Sequence, residues 1–366
     1  MNSALVDRVL DMACAIQQIP APTFHEHKRA EFVRQQFSAL GLHAVSMDEM
    51  GNVYARRPGL GQTRPILVSA HTDTVFPAET PLTLKRAADR IYGPGLGDNS
   101  LGVAGLFGLA WALENEALPG DVWLVANVCE EGLGDLRGMR AVMHKLGAHV
   151  KATIVLEGMA LGQIYHGAIG VRRYRFTTRA EGGHSWLNFG RPSAIHALVQ
   201  FGAQVAHLSV PSTPRTTYNI GTINGGTSVN TIAREAWFDL DLRSEDPAAL
   251  RALAERVEKL AAEHQLPGAP LEMQIIGDRP SGVLSRQHPL VQIAAQVLQE
   301  LNVAPRFDTG STDANIPLSL GLPCICVGLS HGGNAHRPDE YIETAPLATG
   351  LTALYRTARL ALGWVA

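Results

Sequence analysis

Short apolar runs in this chain repeatedly lead into a side chain that suits a divalent metal, and this pattern limits the fold more than any other feature. Ile66-Leu67-Val68-Ser69-Ala70 runs into His71 and Asp73, and a glycine-rich loop then delivers Asp98. The run 122–129 leads into Glu130-Glu131, Thr153-Ile154-Val155-Leu156 leads into Glu157, and the run 323–327 is followed closely by His336. Buried carboxylates and imidazoles are costly unless something pairs with them, and a metal ion is the obvious partner.

The chain has 366 residues, which is long for a single core and makes two domains the expectation. Hydrophobic residues at 46% and charged residues at 18% place it with globular proteins. A net charge of -3 and the lack of any arginine- or lysine-rich run argue against a nucleic-acid partner. Asp7, Arg8 and Asp11 interrupt the first apolar stretch, which does not read as a signal peptide. The longest apolar run, 101–113, is too short to span a bilayer, so no membrane role and a cytoplasmic location are expected. The cysteines Cys14, Cys129, Cys324 and Cys326 are scattered and read as core residues rather than disulfides.

Amphipathic helices are predicted over 3–18 and 24–40, and strands near 52–56, 66–70, 122–128 and 153–156. Helix-like runs at 100–117 and 137–146 alternate with them, which predicts an α/β layered domain with a mainly parallel sheet. Sites in such sheets form at the carboxyl ends of strands, where the acidic and imidazole residues fall. From about residue 170 the order changes to strand (171–178), helix (193–208), strands (217–223, 236–242), helix (247–263) and strand (271–276). This βαββαβ order predicts a ferredoxin-like layer. Helices over 287–301 and 345–362 and a buried strand at 324–328 resume the first pattern. The expected organisation is a catalytic domain of residues 1–169 plus 279–366, with residues 170–278 inserted between its two segments.

His71 and Asp73 stand two apart at a strand end, so period-two geometry points both to one side. His71 can bind a metal while Asp73 holds the other imidazole nitrogen. Asp98 precedes a helix, where it could bridge two ions or merely cap the helix. A phosphate loop fits poorly, because the third glycine of the G-x-G-x-x-G pattern is missing after Gly95 and Gly97. Adjacent Glu130 and Glu131 repel one another; one can ligate a metal while its neighbour serves as general base to a metal-bound water. Glu157 ends another apolar strand, and His336 sits in a loop, Gly332-Gly333-Asn334-Ala335-His336, able to bring an imidazole to an ion.

Taken in order, His71-Thr72-Asp73-Thr74-Val75, Gly97-Asp98-Asn99, Glu130-Glu131-Gly132, Glu157-Gly158, Gly182-Gly183-His184-Ser185, Gly225-Gly226-Thr227-Ser228-Val229-Asn230 and Asp241-Leu242-Arg243 resemble the co-catalytic zinc peptidase family. That family includes glutamate carboxypeptidase, peptidase T, acetylornithine deacetylase, succinyl-diaminopimelate desuccinylase and aminoacylase. The resemblance implies that His71 and Glu157 hold one metal, Glu131 and His336 the other, and Asp98 bridges them. It implies Glu130 as general base and Asp73 as the residue that orients His71. It makes the inserted domain a lid and dimerisation domain, with a homodimer as the expected assembly. His184 would polarise the scissile carbonyl, and Asn230 and Arg243 would hold a substrate carboxylate. The implied cofactors are two divalent ions, zinc first, with cobalt or manganese compatible with the same donors. The implied substrate is a small peptide or N-acyl amino acid. A cis peptide between Asp98 and Asn99 is also expected from the resemblance.

Two departures stand out. Many relatives place Asp, Met or Lys after the bridging carboxylate, where this chain has Asn99 and Ser100, and Asp313 fits the peptidase-like branches better than the deacylase-like ones. Two rivals remain in view. A serine hydrolase would need glycine at Leu187 to complete a nucleophile elbow around Ser185. A metal-bound, non-catalytic peptide-binding or scaffold dimer would be favoured by a missing base, and Glu130 is present.

Overall fold

A computed structural model describes residues 1–364; the last two positions of the segment expected to close the catalytic domain lie outside the described residues. The chain forms two compact units, residues 1–168 with 282 onward, and residues 169–281.

The first unit is built on a mixed sheet. Its strands run in the order His43–Met47, Val53–Arg57, Val122–Asn127, Ile66–His71, Ala152–Glu157, Cys324–Gly328, Gln163–Ala168 and Gly282–Val283, and Arg306–Gly310 also pairs with Gln163–Ala168. The central strands are parallel, and antiparallel strands lie on both sides of them. Ile66–His71 is buried along its whole length, as a parallel strand covered on both faces must be. The register sets His71 beside Asn127 and Gly328 beside Glu157, so the ends that carry the candidate ligands coincide.

The helix Leu101–Ala112 explains why the sheet closes so firmly on one side. It is apolar all round, and Leu101 to Ala110 are all buried. Burial of Leu101, Val103, Leu106, Phe107 and Leu109 contributes roughly 1.5–3 kcal/mol each. The helix packs with Ser3–Gln17 and Leu347–Gly363 in one core. On the other face, Met139, Val142 and Leu146 of Arg137–Leu146 pack with Leu67, Val125 and Val155 and with both Cys324 and Cys326. All four cysteines are free thiols and buried.

Several element boundaries differ from the sequence expectation for local reasons. The second helix starts at His27 rather than 24, because Phe24 takes a left-handed φ of 74° and Pro22 pairs as an extended residue with Thr74. The helix expected over 100–117 stops at Ala112; the side chain of Arg57 donates to the carbonyls of Leu113, Glu114 and Glu116, satisfying groups that a longer helix would have used. The strands His43–Met47, Gln163–Ala168 and Arg306–Gly310 were not anticipated.

The second unit has the strand and helix order Gly170–Arg179, Ala194–Ala206, Thr216–Gly225, Glu235–Ser244, Pro247–Glu263 and Leu271–Arg279. Its antiparallel sheet runs Thr216–Gly225, Glu235–Ser244, Gly170–Arg179, Leu271–Arg279. Along Glu235–Ser244 every second residue is buried, from Ala236 to Ser244, which is the alternation of a one-faced sheet. Phe176, Phe201 and Phe238 close the core under two helices, with ring centroids 4.7 to 5.7 Å apart. Asp246 caps the second helix by accepting from the amide of Ala249 at 2.7 Å, and Pro247 follows at the first helical position.

Candidate metal centre

The sheet supplies His71, Glu130, Glu131 and Glu157 from adjacent strand ends, and two loops bring Asp98 and His336 to them. A small antiparallel sheet of Gly332–Gly333, Tyr341–Glu343, Arg90–Tyr92 and Lys85–Arg86 ties the His336 loop to the chain just before Asp98. The Asp98–Asn99 peptide is cis.

The geometry is centred on Asp98. Its Oδ1 lies 3.1 Å from His71 Nε2 and its Oδ2 lies 3.1 Å from His336 Nε2. Glu157 Oε2 is 3.7 Å from His71 Nε2, and Glu131 Oε1 is 3.4 Å from His336 Nε2. Ligand atoms of His71, Asp98 and Glu157 all lie within 4.8 Å of one another, as do those of Asp98, Glu131 and His336 and those of His71, Glu130 and Glu131. Ligands held about 2.0–2.1 Å from a tetrahedral ion sit about 3.3 Å apart, so these spacings suit a shared cation.

The electrostatics agree. Burial pushes Glu131 and Glu157 up to about 7 against the pull of His336 and His71, and the charges of Asp98 and Glu130 add to the rise. Hydrogen bonds that the His336 ring makes to the carboxylates of Asp98 and Glu131 push it up to about 10. Burial opposes protonation of His71, yet Asp73, Asp98 and Glu157 together carry it well above the usual imidazole range. Burial would likewise raise Asp98, but both imidazoles hold it below the usual carboxylate range. Carboxylates crowded against two imidazoles in this way offer the charge and donor atoms with which a cation would pair.

Asp73 does more than the sequence suggested. Its Oδ1 accepts from the amide of Glu130 and its Oδ2 from the amide of Glu131 and the hydroxyl of Thr23, each at 2.9 Å. His71 Nδ1 lies closer to the main-chain oxygen of Asp73, at 3.1 Å, than to its carboxylate, at 3.5 Å. The carboxylate is committed to the two amides, so the main-chain oxygen is the nearer partner of the ring. One fully buried side chain thus sets both glutamates.

Asn99 acts as a clasp. Its Nδ2 donates to Leu156 O and its Oδ1 accepts from the amide of Gly158, both at 2.9 Å, which fixes the Asp98 loop to the strand that ends in Glu157. An amide can donate and accept at once where a carboxylate cannot. Gly158 is needed for this approach, since a Cβ there would lie 2.2 Å from Gly97 O. Gly158→Ala is therefore expected to cost about 1–3 kcal/mol of stability and to weaken metal binding, measured by thermal unfolding and by metal titration of the same protein.

The sequence reading missed Thr23 and Glu340, which touch the site through partners distant in the chain. Glu26, also unanticipated, is buried and accepts from the amide of Cys129, the residue before Glu130, at 3.0 Å. A glutamate at the start of a helix gives no signal of such a contact.

In the second unit, Gly183–His184 pairs with Thr231–Ile232, and the amide of Ser185 donates to Asn230 O at 2.9 Å, so His184 and Asn230 are neighbours. Arg243 stands on another strand and donates through Nε to Asp241 at 2.6 Å.

Residues 67–360 match the profile of Peptidase family M20/M25/M40. The chain belongs to this peptidase family. It is 25% identical to the succinyl-diaminopimelate desuccinylase of Delftia acidovorans, over 93% of this chain and 95% of that protein. Among solved M20 and related structures it resembles a tripeptidase from Staphylococcus aureus, with a TM-score of 0.79 and 20% identity over 98% of this chain and 99% of the other. It also resembles a dinuclear metal-binding M20 peptidase from Bacillus subtilis, with a TM-score of 0.71 and 18% identity over the full length of both chains. The α/β fold with a parallel sheet centre is that of the M20 peptidases. Among the described residues no helix is long and apolar enough to cross a membrane.

Proposed function

We propose that this M20 protein hydrolyses an amide or peptide bond in a small carboxylate-bearing substrate, a di- or tripeptide or an N-acyl amino acid, using two divalent cations. The observation that carries the proposal is Asp98, with one oxygen 3.1 Å from His71 and the other 3.1 Å from His336. His71 and Glu157 would hold one cation, Glu131 and His336 the other, and Asp98 both. The imidazole and carboxylate donors suit zinc best, and cobalt or manganese would fit them too. The bound cations would polarise the substrate carbonyl and lower the pKa of a water from about 15.7 toward about 7.

Glu130 would take the proton from that water and return it to the leaving nitrogen. Its amide is held by Asp73, and its carboxylate lies within 4.8 Å of ligand atoms of His71 and Glu131. His184 Nδ1 accepts from the amides of Trp186 and Leu187 at 3.2 and 3.4 Å, which leaves the ring proton on Nε2. From Nε2, His184 would donate to the carbonyl oxygen as charge develops there. Asn230 and Arg243 would bind the substrate carboxylate, Arg243 by its two-pronged guanidinium.

A homodimer through the second unit is part of this reading. Thr216–Gly225 is an edge strand, and Ile223 on it and Val199 on the neighbouring helix are 61% and 54% exposed, an apolar surface suited to a second copy. Four buried free thiols suit a reducing, cytoplasmic setting.

Screening dipeptides, tripeptides and N-acyl amino acids against zinc-, cobalt- and manganese-loaded protein tests the activity. Hydrolysis should be confined to substrates with a free carboxylate and should fall when that carboxylate is masked as an amide. No turnover from a protein carrying both cations would favour the non-catalytic binding reading. Turnover that survives a chelator would favour a serine hydrolase.

A further inference from the structure

Glu340 is fully buried, and no cationic side chain among the described residues bonds to it. Its Oε1 accepts from two consecutive amides, Gly97 at 2.6 Å and Asp98 at 2.9 Å. Its Oε2 is buried with no partner at full hydrogen-bond geometry, and the amide of Gly95 also faces the carboxylate. Its main-chain oxygen accepts from the amide of Gly93 at 2.8 Å, so the same residue grips both ends of the 93–98 loop. Four residues earlier on the same segment, His336 meets the carboxylate of Asp98 at 3.1 Å. Glu340 thus holds the main chain of Asp98 while His336 faces its side chain.

A carboxylate kept in such a place with one oxygen short of a well-formed hydrogen bond is poor design for stability alone. A charged acceptor is, however, the strongest single group for holding two parallel amides. Those amides belong to the loop that carries Asp98, whose two oxygens face two different imidazoles. A small rotation of this loop would carry Asp98 toward one imidazole and away from the other.

We infer that Glu340 is a positioning residue for the metal centre: it locks the loop bearing Asp98 to the loop bearing His336, so that both cations can share one carboxylate. This rests on the two-cation reading above. It assigns Glu340 no contact with cation, water or substrate.

The test is a competition titration of the metal-depleted full-length protein with zinc against a chromophoric chelator, on wild type, Glu340→Ala, Glu340→Asp and Glu340→Gln. Thermal unfolding of each metal-free protein is recorded beside it. Alanine removes the acceptor and aspartate is too short to reach both amides, so both should weaken binding of the second cation by about 10–100-fold, the usual cost of losing a group behind a ligand. Glutamine keeps an oxygen for the amides and should lose less than that. In steady state, kcat should fall with metal loading while KM holds. A purely structural role would lower the unfolding temperature of the metal-free variants and leave the metal affinity of the folded protein unchanged; that result in Glu340→Ala or Glu340→Asp overturns the inference. If alanine does not fold, aspartate decides. Failure of both to fold assigns Glu340 to the fold and also overturns it. Wild type that binds fewer than two cations would instead refute the two-cation reading itself.

Discussion

Glu130→Ala is expected to remove turnover while the protein still binds both cations. Glu130 and Glu131 are adjacent, equally buried and anchored through their amides to the same Asp73 carboxylate, yet their surroundings differ. Glu131 reaches His336 at 3.4 Å and shares a ligand set with Asp98, whereas Glu130 groups only with His71 and Glu131. On the proposed reading, Glu131 would ligate and Glu130 would move a proton. Loss of a general base costs about 10²–10⁴-fold in rate. Metal content measured on the same sample should stay at the wild-type level. Glu131→Ala should behave in the opposite order, losing metal first and activity as a consequence. If Glu130→Ala keeps near wild-type turnover, or loses metal as Glu131→Ala does, the division of labour between the pair is wrong.

Asp98→Asn should be the most damaging change to metal binding. The amide keeps the size and the main-chain contacts to Glu340, but it replaces one ligating oxygen with a nitrogen whose lone pair is not available, and it removes the charge. Both imidazoles then lose the anion that each meets at 3.1 Å. Changes to groups behind a metal ligand cost about 10–100-fold in affinity or activity, and loss of a ligand shared by two cations should exceed that range. The expected stoichiometry is one cation or none, read by elemental analysis after dialysis, with activity lost in proportion. Full occupancy by two cations in Asp98→Asn would show that Asp98 does not bridge.

Much of this site was legible in the sequence because of where it lies. His71, Glu130, Glu131 and Glu157 end apolar strands, and a parallel sheet puts strand ends together without further information. Asp98 and His336 were less readable from pattern alone, since a glycine-rich loop and a Gly-Gly-Asn loop can point anywhere; the resemblance placed them. What was not legible depends on contacts between distant segments. Glu340 lies more than 240 positions from the amides it holds, and Thr23 lies 50 from Asp73. Asn99 looked like a departure, and only its two partners on the neighbouring strand explain it. The overlong helix at 100–117 failed for the same reason, because the Arg57 side chain that takes its freed carbonyls comes from another strand.

The account turns on two cations meeting at Asp98. Its most direct test is a calorimetric titration of chelator-treated protein with zinc, followed by activity on a cleaved substrate at each ratio. Two cations should bind per chain, and turnover should reach its maximum only as the second is taken up. Saturation at one cation or fewer, or full turnover in the chelator-treated protein, would contradict it.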